Sequence, residues 1–168
     1  MAPIDSPLTL CLALFACWAL VGAGGLLRPN SVALVGRVLF PLGAVIGVGL
    51  AIVAVTSLTQ PVERATLLIG LPDLPMHVRL DNLSRVFLAL LGSASAGVSL
   101  FAAGYFRKGE GTAPGVLGLE YHLFLASMGF VLVADDAYAF MVAWETMALT
   151  SYFLVTAQHG IPEIRSAG

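Results

Sequence analysis

Five long apolar stretches divide this chain, at about residues 8–27, 38–58, 83–106, 119–134 and 137–157. They constrain its fold more than any other feature. A helix that spans a bilayer needs about 20 mostly apolar residues, and each stretch reaches or approaches that length. The fourth is the shortest, and its start can slide back toward Val116. Composition agrees. Of 168 residues, 58% are hydrophobic and only 11% charged, against about 25% charged in a soluble globular domain. The mean hydropathy is +0.92. These features predict an all-α membrane protein with about five transmembrane helices, forming a single transmembrane region over residues 1–168 in the lipid bilayer.

The same composition excludes several function classes. A formal net charge of −2 provides no basic face for nucleic acid. Cys11 and Cys17 share one apolar stretch, and their spacing fits neither a zinc knuckle nor a redox pair. They read as small apolar fillers. No haem, iron–sulfur or phosphate-loop signature is present, so no cofactor, metal ligand or catalytic residue is assigned. The leader Met1-Ala2-Pro3-Ile4-Asp5 carries an acid and no base. A signal peptide begins with a positive region, so the first stretch reads as a retained helix.

Lysine and arginine set the expected orientation. Arg28, Arg37, Arg107, Lys108 and Arg165 fall on one side, and Arg64, Arg79 and Arg85 on the other. The richer side is assigned to the cytoplasm. That places the N-terminus outside and the C-terminal tail inside, in a multi-pass protein of the inner (plasma) membrane. Arg37 and Arg85 are expected to snorkel to opposite surfaces.

The longest connection covers residues 59–80, where Pro61, Pro72 and Pro75 interrupt helix. Between the prolines, residues 65–69 and 76–80 are short and rich in β-formers, which predicts a small β-hairpin on the outer surface. Asp81 then stands where a side-chain oxygen can cap the third helix. The connection 107–118 reads as a Gly-rich cytoplasmic loop. Asp135 and Asp136 read as a solvated turn and the start of the fifth helix. Small residues at Gly43, Gly47 and Ala51, and at Gly92, Ala96 and Gly97, suit close helix contact.

Glu145 is the candidate for chemistry. It lies near the middle of the fifth stretch, where a charge costs about 2.5–3.5 kcal/mol on insertion scales. A carboxyl there calls for a partner or a hydrated path, and can load and release a proton. Helical spacing puts Met141, Ala148, Leu149 and Tyr152 on its face. Tyr152 and His122 are its candidate neighbours. His122, beside Glu120 and Tyr121, reads first as an interfacial residue near the start of the fourth helix. A relay role for it is the alternative, because histidine titrates near physiological pH. A membrane enzyme would need acids or histidines clustered at one depth, and on these boundaries Glu145 alone is deep.

The run from Trp144 through Val155, with its pattern of Trp-Glu, then Leu, then Ser-Tyr-x-Leu, resembles the fifth helix of the antiporter-like membrane subunits. These occur in respiratory complex I, Mrp-type cation/proton antiporters and membrane-bound hydrogenases. Upstream, Ala134-Asp135-Asp136 is similar to the family's Ala-Asp-Asn turn. The segment Arg79-Leu80-Asp81-Asn82-Leu83-Ser84 is similar to its Asp-x-Leu-Ser start of the third helix. Met147-Ala148-Leu149 and the segment from His159 to Arg165 look most like the large membrane subunit of hydrogenase 4 and formate hydrogenlyase.

The resemblance implies a proton-translocating subunit of an oxidoreductase complex, whose partners are other membrane subunits of a hydrogenase or complex I-like assembly. It implies that Glu145 is the fifth-helix glutamate, which in that family pairs with a lysine on the seventh helix. No redox centre is expected in this chain, so any enzyme label belongs to the assembly. The sequence departs from the family in ending at Gly168, and its one lysine is Lys108, in a loop. It therefore reads as the N-terminal part of a longer subunit. The alternatives are a non-conducting membrane scaffold and a subunit of an Mrp-type antiporter.

Overall fold

The computed structural model describes residues 6–71, 73–105 and 112–157. Among these residues, five helices are long and apolar enough to cross a membrane: α1 (Pro7–Leu27), α2 (Val32–Thr56), α3 (Asn82–Tyr105), α4 (Pro114–Val133) and α5 (Ala137–Val155). Between α2 and α3 lies an antiparallel hairpin of β1 (Glu63–Leu71) and β2 (Leu74–Leu80). The expected tail segment 159–165 and the residues Arg107 and Lys108 lie outside the described residues.

Short polar side chains and prolines set the helix starts. The Ser6 hydroxyl accepts from Thr9 N–H at 3.3 Å, with Pro7 in the first turn, where its missing N–H costs nothing. The Ser31 hydroxyl accepts from Leu34 N–H at 3.2 Å. From there α2 begins at Val32, earlier than the expected residue 38. Its second turn, Val35–Leu39, is a π-turn in which Phe40 N–H reaches back to Val35 O. The cause is Pro41, which cannot donate and whose ring crowds the preceding turn. The helix survives by widening there. Pro114 likewise opens α4, five residues before the expected residue 119. The Asp81 carboxylate takes Ser84 N–H at 2.8 Å, and that of Asp136 takes Ala139 N–H at 2.7 Å.

Glycines decide how the helices cross. A Cβ on Gly47 would lie 2.8 Å from Gly92 O, and one on Gly92 would lie 2.6 Å from Gly47 O, so α2 and α3 pack backbone to backbone. Gly25 and Gly115 make the same kind of contact between α1 and α4. Gly97, expected in the small-residue stripe, faces open space instead. It follows Ala96 by one residue, about 100° around the helix, and so leaves the α2 contact.

The core joins Leu8, Cys11, Phe15 and Trp18 of α1 to Leu50, Leu88 and Leu125, and closes under Val78 and Leu80 of β2. The hairpin thus covers one end of the bundle. Its strands pair from Glu63 opposite Leu80 to Leu71 opposite Leu74, with a bulge between Leu67 and Gly70. Gly70 has φ +135°, a conformation that requires glycine. Cys17 is exposed, in contrast to buried Cys11.

Arg85 corrects the snorkelling expectation. It is fully buried (0% exposed) and reaches no surface. Its guanidinium donates to Gln60 O (2.8 Å), Pro61 O (2.7 Å) and Asn82 Oδ1 (2.9 Å). The prolines around residue 61 leave carbonyls without helical partners, and Arg85 satisfies two of them. It fastens the strand leading into β1 onto the first turn of α3.

Candidate functional site

Polar side chains gather at two levels. The first is the hairpin end of the bundle. There Val78 forms a bridge with Ala134, and Asp135 N–H donates to His77 O at 2.9 Å, so β2 pairs with the α4–α5 turn. Asp135 accepts from Arg79 Nε at 3.1 Å and lies 3.8 Å from Arg64 Nε. Asp136 accepts from His77 N–H and lies 3.2 Å from His77 Nδ1. Arg64, Thr66, His77, Asp135 and Asp136 line a half-open cleft of about 670 Å³. Acids and bases alternate in it, and each acid has a base beside it.

The electrostatics follow from those bonds. The Ala139 N–H, then the His77 N–H, hold the Asp136 carboxyl below the usual carboxylate range. The Ser84 N–H, then its hydroxyl and the charge of Arg79, do the same for Asp81. Asp81, Asp135 and Asp136 thus act as helix caps and strand anchors.

The second level lies along the apolar helices themselves. Glu145 is midway along α5, whose buried side, Ala139, Ala143 and Thr150, faces the bundle. Glu145 points the other way and is exposed, together with Met141, Trp144, Leu149 and Tyr152. Tyr152, 49% exposed, stacks edge-on against Phe153, two turns from Glu145.

His122 is elsewhere. It is fully buried, 0% exposed, and is the ninth residue of α4, which corrects its expected place near the start of that helix. It occupies the side of α4 that faces α1, α2 and α3, so no hydrogen bond or ring contact joins it to Glu145 among the described residues. Its Nδ1 donates to Gly118 O at 2.7 Å, and its ring packs against Phe40 and Tyr121. The Tyr121 hydroxyl lies 2.9 Å from Ser99 Oγ on α3.

The early start of α4 explains the correction. From Pro114, His122 lies about 12 Å along the helix at 1.5 Å per residue. Because α5 returns antiparallel, Glu145 lies about 15 Å from that same side. Glu120 is also inside the span, and its Oε2 is closed to solvent with no hydrogen-bond partner among the described residues. Glu145 is therefore not alone at depth. The signal for Glu120 and His122 was Ala113-Pro114-Gly115, a proline placed to open a helix. Among the described residues, no three His, Cys, Asp or Glu side chains gather as metal ligands.

The fold is a bundle of five helices apolar enough to cross a membrane, capped by a small hairpin and carrying Glu120, His122 and Glu145 within those helices. No family model matches the chain. It is similar to an uncharacterized protein of Mycobacterium tuberculosis, found in strains H37Rv and CDC 1551, at 35% identity over 125 residues. That alignment covers 74% of this chain and 19% of the relative. It is also similar to Hydrogenase-4 component B of Escherichia coli K12, at 35% identity over 83 residues, covering 49% of this chain and 12% of that protein. The chain spans less than a fifth of the length of these curated relatives. The partial similarity is a weak link to a hydrogenase component.

Proposed function

We propose that the chain is a proton-translocating membrane subunit, or part of one, in a hydrogenase or complex I-like assembly, with Glu145 as its ionisable site. The observation that carries this reading is the place of Glu145. It lies midway along α5, on a face that packs against no described helix. A carboxylate turned toward lipid costs about 2.5–3.5 kcal/mol on insertion scales. A neighbouring helix with a cation, or a hydrated path, removes that cost. The partial similarity to Hydrogenase-4 component B supports the same class of assembly. In this reading the hairpin lies outside, the Pro114 end of α4 faces the cytoplasm, and other membrane subunits cover α5.

The test is Glu145→Gln in the complete subunit within its assembly, with proton uptake into inverted vesicles and coupled turnover as readouts. Proton uptake is expected to fall to background while the assembly remains intact. Unchanged uptake and turnover would remove Glu145 from the path. They would favour the second reading, a non-conducting scaffold, which has its own support: none of the five helices contains a lysine. Loss of sodium rather than proton movement would favour an Mrp-type cation/proton antiporter subunit.

A further inference from the structure

We propose that His122 is a second proton-binding site, in which the imidazole Nε2 takes up a proton inside the α1–α4 bundle. The site stands apart from Glu145 and needs no transport activity to exist.

Three observations carry it. First, the ring has a built seat. A Cβ on Gly22 of α1 would lie 3.0 Å from His122 Cβ, and one on Gly43 of α2 would collide with Nε2. Two glycines on two helices make the room the imidazole occupies. Second, one nitrogen is committed. Nδ1 faces the Gly118 carbonyl at 2.7 Å, and a carbonyl only accepts, so Nδ1 carries a hydrogen. Third, the other nitrogen is fully buried and makes no well-formed hydrogen bond. The Leu39 main chain also lies against the ring. The Gly43 carbonyl is already taken by Trp18 Nε1–H at 3.1 Å.

A neutral imidazole can donate from one nitrogen only. With Nδ1–H given to Gly118, Nε2 presents a buried lone pair that no donor among the described residues satisfies. Protonation turns Nε2 from an unsatisfied acceptor into a donor, while Nδ1–H keeps its bond to Gly118 and the Ser99 hydroxyl lies at the same Gly43 position. Loading forms one N–H bond at Nε2 and breaks one O–H bond of a hydronium ion, which leaves as water. The ring gains one positive charge.

A hydroxyl pair lies beside it. Ser99 Oγ would touch the same Gly43 Cβ at 3.4 Å, and it shares a hydrogen bond of 2.9 Å with Tyr121 OH. Each hydroxyl can accept and donate, so the pair can hand a proton toward the ring. The elements packed on the imidazole are α1 (Gly22), α2 (Leu39, Phe40, Gly43), α3 (Ser99) and its own α4. Among the described residues they bring one titratable group to it, the Tyr121 phenol, whose ring centre is 5.2 Å away, and no charged one.

The test is nitrogen-15 NMR of the histidine rings in the full 168-residue chain in lipid nanodiscs, with His77 and His159 replaced by glutamine. Nδ1 is expected to stay protonated throughout. Nε2 is expected to move, reversibly and by one proton, from the bare to the protonated region on acidification. Ser99→Ala is expected to slow that exchange. His122→Asn keeps an N–H for Gly118 and is expected to keep the fold while losing the titration. An Nε2 that stays bare at every pH where the chain is folded overturns the proposal. So does loss of the native spectrum before Nε2 loads, because a site that unfolds before it protonates is a packing histidine.

Discussion

The Asp136 carboxylate bonds to two separate elements: one oxygen accepts from His77 N–H of β2, and the other from Ala139 N–H at the start of α5. The hairpin and the fifth helix therefore share one side chain. Losing an N-cap costs about 1 kcal/mol, and here the hairpin loses its anchor as well. Asp136→Ala is expected to lower the melting temperature and to speed hydrogen exchange in both β2 and the first turn of α5. Asp136→Asn keeps a capping oxygen and is expected to cost less. Exchange confined to α5 would show that the hairpin does not depend on Asp136.

The same carboxylates set the response to acid. Folding lowers the pKa of Asp136 through the Ala139 and His77 N–H groups, and that of Asp81 chiefly through Ser84 N–H. A group lowered in the folded state contributes stability that is complete above its unfolded pKa, about 3.9 for aspartate. That stability is lost as pH falls through the lower, folded pKa. Thermal melting is thus expected to be insensitive to these two groups above about pH 5, and to fall below pH 4. The Asp81→Asn, Asp136→Asn double variant is expected to flatten that acid limb. A limb of unchanged slope in the double variant assigns the acid response to other groups.

Much of this architecture was legible from hydropathy, because a span and its apolar run are the same object. The hairpin was legible too, since prolines bracket its two β-rich segments. The error lay at helix starts. Residues 107–118 read as a loop and the second helix as starting at 38, yet Pro114 opens α4 and α2 begins at Val32, with Pro41 absorbed by a π-turn. A shift of five residues at 1.5 Å each moves Glu120 and His122 about 7 Å deeper. Arg85 was misread for a different reason. Nothing in its own segment shows that the carbonyls of Gln60 and Pro61, more than twenty residues away, lack donors. Small residues also mark a contact without saying which of two adjacent positions makes it, and only the crossing of α2 and α3 separates Ala96 from Gly97.

That crossing gives a paired test. A methyl on Gly92 would stand 2.6 Å from Gly47 O and 2.7 Å from Ala51 N, which are main-chain atoms that cannot swing aside. Gly92→Ala is expected to destabilise the bundle by about 1–3 kcal/mol, the usual cost of overpacking. Gly97→Ala meets nothing within 4 Å and is expected to be neutral or slightly stabilising through helix propensity. Resistance to denaturation in mild detergent would rank the pair. Equal effects would mean that α2 and α3 do not meet at Gly92.

Arg85 tests how the hairpin is fastened. Its removal leaves the carbonyls of Gln60 and Pro61 without a buried donor, at about 1–3 kcal/mol for each unsatisfied group. Arg85→Met keeps the length and apolar stem, and is expected to destabilise the chain and expose the segment before β1 to proteolysis. Arg85→Lys supplies one donor site where the fork supplies two, and is expected to fall between. Protease resistance unchanged in Arg85→Met would show that the β2 core residues hold the hairpin without it.

Glu145 separates packing from chemistry. Its side chain is exposed and forms no hydrogen bond or ion pair with the described residues of the bundle. Surface positions of that kind move stability by about 0.5 kcal/mol or less. Glu145→Leu is therefore expected to leave the thermal stability of the chain in nanodiscs nearly unchanged. It is also expected to ease insertion of α5, by an amount approaching the 2.5–3.5 kcal/mol that a central charge costs on insertion scales. Glycosylation mapping of the α5 segment reads the second effect directly. If Glu145→Leu destabilised the chain by more than about 1 kcal/mol, the carboxyl would have a partner within these five helices, and the outward face of α5 would not be where its counter-charge arrives.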